Sequence, residues 1–178
     1  MHHALATAVV LLALATPARA EPDAYYAVQI KQFLVCDGEM AKGCEQFVST
    51  AFKQALAIFR RAAKDGHTGA QNNLAMLYES GAGVALDRAA ARRWYTLAAE
   101  AGEPMARYNL AMLLATAHIL QQSNRPQYRD EDLATAYMWL SLAAKDGLES
   151  AIDGKSELAN FLTPEQIEAG EQMLRARY

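Results

Sequence analysis

Three glycines set the frame of this chain. Each closes the same short word, Ala-Ala-x-x-Gly, at Ala62-Ala63/Gly66, Ala98-Ala99/Gly102 and Ala143-Ala144/Gly147. The glycines are 36 and then 45 residues apart. Four residues after each stands an alanine: Ala70, Ala106 and Ala151. Four residues before each first alanine stands a large apolar residue: Ile58, Trp94 and Trp139. The word NLAML occurs twice, at Asn73–Leu77 and Asn109–Leu113, again 36 residues apart. Periods of this length mark stacked repeats, in which one unit cannot bury its apolar face alone.

Within each unit the apolar spacing is helical. Ala91, Trp94 and Ala98 follow an i, i+3, i+7 stripe, as do Ala136, Trp139 and Ala143. Leu74, Leu77 and Tyr78, with Leu110, Leu113 and Leu114, form the matching stripes of the second helices. Strand alternation is absent from the sequence. Asp87 and Asp132, each seven residues before a tryptophan, are placed to cap helix N-termini. The three glycines suit the left-handed position past a helix C-terminus. Pro104 sits near a helix start, where its missing N–H costs little. The expected fold is all-α: an α-solenoid of stacked antiparallel helix hairpins. Its units fall at about 51–86, 87–131 and 132–158, and AHILQQSNRPQYR in the second is a polar loop insertion holding Pro126. Residues 159–178 form a C-terminal capping helix. Thr163 with Gln166 makes a capping box there, and Pro164 takes the first helical position.

The first 20 residues read as a signal peptide. An apolar run from Ala4 to Ala15 leads to Ala18-Arg19-Ala20, which fits the A-x-A cleavage rule. The start carries His2 and His3 in place of Lys or Arg. The run is too short to span a bilayer, and no other stretch is long enough. The expected mature chain, from Glu21, is exported, periplasmic or secreted, without a membrane span. It holds 16 basic and 20 acidic side chains. That balance argues against nucleic acid, whose non-specific binding needs clustered Lys and Arg. An even cysteine count in an exported chain suggests a bridge between Cys36 and Cys44; two free, partly buried thiols are the alternative. Two cysteines with distant His67 and His118 are too few for a zinc site.

The stretch from Ser80-Gly81-Ala82-Gly83-Val84 through Asp87, Ala91, Trp94, Ala98-Ala99 and Gly102 to Ala106 resembles the Sel1-like repeat, a relative of the tetratricopeptide repeat. The resemblance covers roughly Ala51–Leu158. Ala75 and Ala111 stand where the family usually has Gly, and the third unit lacks the G-x-G-V turn. The resemblance implies stacked hairpins whose first helices line a concave face. It also implies a non-catalytic protein- or peptide-binding adaptor or regulator in the bacterial periplasm. Cys36 and Cys44 have the spacing of cysteine-rich relatives, in which a bridge ties the end of one helix to the start of the next. Residues 21–50 are then an N-terminal capping hairpin, with AYYAVQIKQFLV as its first helix. From Cys44 to Ala62 one long helix replaces two short ones.

Candidate partner-binding residues are Arg88, Arg92 and Tyr95 on one first helix and Tyr137 on the next, with the repeated amides Asn73 and Asn109. A pair of arginines beside a tyrosine suits a carboxylate or a carbonyl. The bland alternatives are solvated charges and amides bonded to neighbouring backbone. No catalytic residue, metal or cofactor is expected, and a monomer is favoured. GKS at Gly154–Ser156 ends like a P-loop, but Glu149 stands where its first Gly belongs. Relatives linked to β-lactams make binding or hydrolysis of a cell-wall or β-lactam-like molecule the alternative function. No S-x-x-K nucleophile motif is present to support it. N-terminal sequencing of the exported protein should begin at Glu21; a chain that still carries Ala4–Ala15 would overturn the leader reading.

Overall fold

A computed structural model describes residues 41–120 and 130–177. The leader, Cys36 with its expected bridge to Cys44, and the first helix of the N-terminal hairpin lie outside the described residues. Seven helices and no strand occur among those described: α1 (Ala41–Lys64), α2 (Thr68–Ser80), α3 (Arg88–Glu100), α4 (Pro104–Leu120), α5 (Asp130–Lys145), α6 (Glu149–Ala159) and α7 (Pro164–Arg175). The chain divides into two compact units, and the division along the chain falls within α3, between Trp94 and Tyr95.

The repeated Ala-Ala-x-x-Gly word is a helix terminator. Gly66, Gly102 and Gly147 have φ of 89°, 94° and 86°, the left-handed region that glycine enters without a Cβ penalty. The Gly66 N–H donates to the Ala63 carbonyl at 3.2 Å, and the His67 N–H donates to Ala62 at 3.1 Å. The same pair of bonds runs from Gly102 and Glu103 to Ala99 and Ala98, and from Gly147 and Leu148 to Ala144 and Ala143. This is a Schellman closure, which satisfies carbonyls a helix end leaves orphaned. Each closure turns the chain into the next helix within three residues.

In the unit of residues 41–94, α1 packs on α2. Leu56, Ala63, Leu74, Leu77 and Ala82 form its buried centre, and Phe52, Phe59, Tyr78, Val84 and Trp94 pack against them. Trp94 is therefore partly buried and packed against the core, on the side its repeat position predicts. Ile58, expected at the same place in the first unit, is 65% exposed. On α1 the stripe Leu56, Phe59, Ala63 faces inward, which leaves Ile58 outside. As expected, α1 is one long helix. It runs unbroken through position 51, so no turn marks the expected boundary between hairpin and first repeat. The loop into α3 is tied down by the Asp87 N–H, which donates to the Tyr78 carbonyl at 2.8 Å. The Asp87 carboxylate accepts from the Ala90 N–H at 2.9 Å, the capping bond that the sequence foretold.

In the unit from residue 95 onward, α5 is the central element and packs against α4, α6 and α7. With neighbours on three sides it is buried nearly all round, and Trp139 is 3% exposed. Two expectations are corrected here. Asp132 does not cap α5; the helix begins at Asp130 and Asp132 is its third residue, buried. The insertion is not loop from its start, because α4 continues to Leu120 through Ala117, Ile119 and Leu120, residues compatible with a helix.

The C-terminal helix α7 opens with the expected capping box. Thr163 accepts from the Gln166 N–H at 3.3 Å, and the Gln166 side chain accepts from the Thr163 N–H at 3.0 Å. Glu165, in the first turn, has its carboxyl held below the usual range by hydrogen bonds from its own backbone N–H and from the Thr163 hydroxyl. Its small contribution is present above its unfolded pKa and fades as pH falls through the folded value.

A helix can lie this close to α5 because of Gly170. A Cβ there would stand 2.8 Å from the Ala134 carbonyl oxygen and 2.9 Å from the Tyr137 ring. Gly170→Ala should cost about 1–3 kcal/mol, as overpacking does. Gly69→Ala, at an open position of α2 with nothing within 4 Å, should instead leave stability unchanged or raise it by about 0.5 kcal/mol. Urea unfolding of the two variants checks both signs.

Candidate functional site

The repeats allow one helix position to be compared across three copies. Counting 36 and 45 residues along, Phe52, Leu56 and Phe59 of α1 correspond to Arg88, Arg92 and Tyr95 of α3, and to Leu133, Tyr137 and Leu140 of α5. The first and last sets are entirely apolar or aromatic. The middle set carries two cations, and both are exposed. Arg93 is exposed beside them, where α5 has the buried Met138. Arg88, Arg92 and Arg93 thus make a cationic ledge within about one and a half turns of α3.

What the corresponding face of α5 holds is informative. Ala134 and Tyr137 are the residues against which Gly170 seats α7. Their counterparts on α3 are Ala89 and Arg92, both exposed. A face that receives a helix in the last copy is therefore small and cationic in the middle one. Three guanidinium groups on such a ledge can donate to carboxylates in charge-assisted, bidentate geometry.

Two candidates drop out of this site. Tyr95 is 1% exposed and Tyr137 is 5% exposed. Tyr95 continues the stripe Ala91, Tyr95, Ala98, Ala99, all of it buried. Tyr137 is enclosed between Gly170 of α7 and the Lys155 ammonium, 5.1 Å from its ring centroid. Neither ring can meet a partner while the fold is intact. Asn73 and Asn109 are half-buried on α2 and α4. Asn73 is gathered with apolar residues: with Phe52, Ala55 and Phe59 of α1, and Met76, Leu77 and Ser80 of α2, it lines a groove of about 250 Å³. The arginines are not among its lining. In the third copy this amide becomes Gly154, whose missing Cβ would stand 3.4 Å from Leu140 and Tyr108.

A second repeat position carries structural polarity. Gln71 donates to the Ala63 carbonyl at 3.2 Å, and Arg107, one period later, donates from Nε to the Ala99 carbonyl at 3.1 Å. Arg107 also pairs with Asp146 beyond the end of α5. This arginine is therefore committed to holding α4 against α5. Among the described residues no group of three or more His, Cys, Asp or Glu could hold a metal ion, and no helix is long and apolar enough to cross a membrane.

Sequence reasoning missed Arg93 and the apolar groove. Both had a signal. Arg93 aligns with Met138, and Phe52, Ala55 and Phe59 are spaced i, i+3, i+7.

The model of the Sel1 repeat matches residues 45–67, 68–103 and 104–148. Those matches keep the 36- and 45-residue periods but cut each repeat one helix earlier than 87–131 and 132–158. Among solved structures, the chain is similar to a protective antigen present in uropathogenic Escherichia coli strains and displaying an SLR fold. The TM-score is 0.60 at 20% identity, over 89% of this chain and 32% of that one, so the chain spans about a third of the antigen's length. At that identity the likeness concerns the fold. No curated protein matches the chain.

Tyr95→Ala should cost about 3–5 kcal/mol, in the range of large buried aromatics. Arg92→Ala should stay within about 0.5 kcal/mol, as an exposed substitution does. Chemical denaturation of the two variants separates core from ledge; equal losses would overturn the assignment.

Proposed function

This chain belongs to the Sel1-repeat family, whose members generally mediate protein–protein interactions, and on that footing we propose that it is a non-catalytic adaptor binding an acidic protein or peptide through Arg88, Arg92 and Arg93. Its place of action, on this reading, is the periplasm or the medium beyond it, reached by way of the leader. The observation that carries the proposal is the break in the repeated row: three exposed cations where the neighbouring copies are apolar. In repeat proteins the scaffold positions recur, while a binding face is written in the positions that depart from the repeat. Helical hairpins offer rigid elements for such a face, so little ordering is lost when a partner docks.

The test is capture from envelope extract by wild type and by the triple variant Arg88→Ala, Arg92→Ala, Arg93→Ala, with the fold of the variant checked by circular dichroism. A protein held by the wild type should be released by salt, since exposed charges are screened. The variant should bind that protein about tenfold or more weakly, a loss of about 1.4 kcal/mol or greater. Equal retention by a folded variant would overturn the ledge as the binding face.

A further inference from the structure

The apolar groove between α1 and α2 asks for a cover of its own. Phe52 and Phe59 are only half-buried there, and the cavity of about 250 Å³ is lined by Ala55, Met76 and Leu77 as well. The last copy shows how the same positions are closed. Leu133, Ala136 and Leu140, the counterparts of Phe52, Ala55 and Phe59, are all buried. The place of Asn73 is taken by Gly154, beside which lies Tyr108 of α4, the helix that precedes α5 in the chain. In this copy the preceding helix packs on α5 and adjoins this face.

What precedes α1 is the stretch AYYAVQIKQFLV, Ala24–Val35. Tyr26, Ile30, Phe33 and Leu34 are spaced i, i+4, i+7, i+8, the pattern of one apolar helix face. As a helix its twelve residues span about 18 Å. The groove residues Phe52–Phe59 occupy about 10 Å of α1 at the same rise. Five residues, 36–40, link the stretch to α1 and reach at most about 18 Å when extended. Phe52 lies about 17 Å from the start of α1, within that reach. Composition agrees with the fit. Ala24–Val35 carries one charged side chain, Lys31, and the groove lining carries none.

We propose that Ala24–Val35 of this chain is the occupant of the α1–α2 groove, with Phe33 and Ile30 set against Phe52, Phe59 and Met76. The groove is then an intrachain docking surface, distinct from the arginine ledge of α3. A competing apolar peptide could enter it only by displacing this segment.

The experiment places the photo-cross-linking residue p-benzoylphenylalanine at Phe33 in the full chain, at low micromolar concentration, and maps the products by mass spectrometry. The expected result is a monomer-sized product in which position 33 is joined to residues 52–59 or 73–80. The same probe at Val28, on the opposite side of the stripe, should give severalfold less of it. Cross-links only in a dimer-sized product would assign the groove to a second copy and overturn the proposal. A product that forms only when envelope extract is added would assign it to a foreign protein, with the same consequence. No cross-link to either helix would also overturn it. As a second reading, Ile30→Asp with Phe33→Asp should raise the fluorescence of 1-anilinonaphthalene-8-sulfonate severalfold by uncovering the groove; an unchanged signal counts against the proposal. The arginine triple variant should leave the cross-link intact, so failure of the ledge and failure of the docked segment are told apart.

Discussion

The structure depends on what happens to two alanine carbonyls at the end of a helix. Each Ala-Ala-x-x-Gly word hands those carbonyls to the N–H groups of the glycine and of the residue after it. An unpaired buried backbone carbonyl costs about 1–3 kcal/mol, so this closure is strongly selected over a frayed end. It also fixes direction, because the left-handed glycine turns the chain back within three residues. The alanines matter twice. Their carbonyls accept the closing bonds, and their short side chains let the returning helix come close. Gln71 and Arg107 extend the same logic, each adding a side-chain donor to a carbonyl, Ala63 or Ala99, that already accepts from a glycine. The third copy has Ile152 there and cannot do so.

Once the closure repeats, the chain is free to vary what it does not use. One row of positions reads Phe-Leu-Phe, then Arg-Arg-Tyr, then Leu-Tyr-Leu. The difference follows from what lies against each helix. On α5 the row is enclosed by neighbours, so charge there would be stripped of water at a cost of several kcal/mol. On α3 the first two places meet solvent, and arginine costs little. The third place, Tyr95, has turned inward with Ala91 and Ala98. A row that is uniform in sequence position is therefore not uniform in exposure.

That turn explains which parts of the molecule were legible in the sequence. The glycine closures, Asp87, Pro104 and the Thr163 box are local chemistry, settled within four residues, and each stands where the spacing puts it. Trp94 and Trp139 were legible because a large apolar residue at a fixed repeat position has one economical place to go. Tyr95 and Tyr137 were misplaced for the opposite reason. Tyrosine suits a core and a surface alike, and its side was decided by the packing around α3 and by α7, which no local pattern reports. Asp132 was misread because an acid near a helix start serves as cap or as first-turn residue equally well. Ile58 shows the limit of alignment itself: α1 is continuous where the other copies break, and its inward stripe runs through Leu56 and Phe59 instead.

Chain ends pose a separate problem for any stacked fold, since the terminal copies have a neighbour on one side only. The last described helix, α7, packs on α5. Its approach is paid for in side chain, by a glycine where even a methyl group would strike Ala134 and Tyr137. Its outward Glu165, Glu168 and Glu171 keep the last surface wet. Arg175 stands among them and pairs with Glu171 at 3.7 Å, so this outward side is a solvated face of mixed charge. Polarity that serves an end differs in kind from polarity in the middle. The glutamates of α7 face solvent on a helix whose other side is already committed to α5. Arg88, Arg92 and Arg93 stand on a middle helix, at positions that the next copy keeps apolar and buried. The arginines of α3 stand exposed where the next copy buries Leu133, Tyr137 and Met138, and that is the physical reason to look for a partner there.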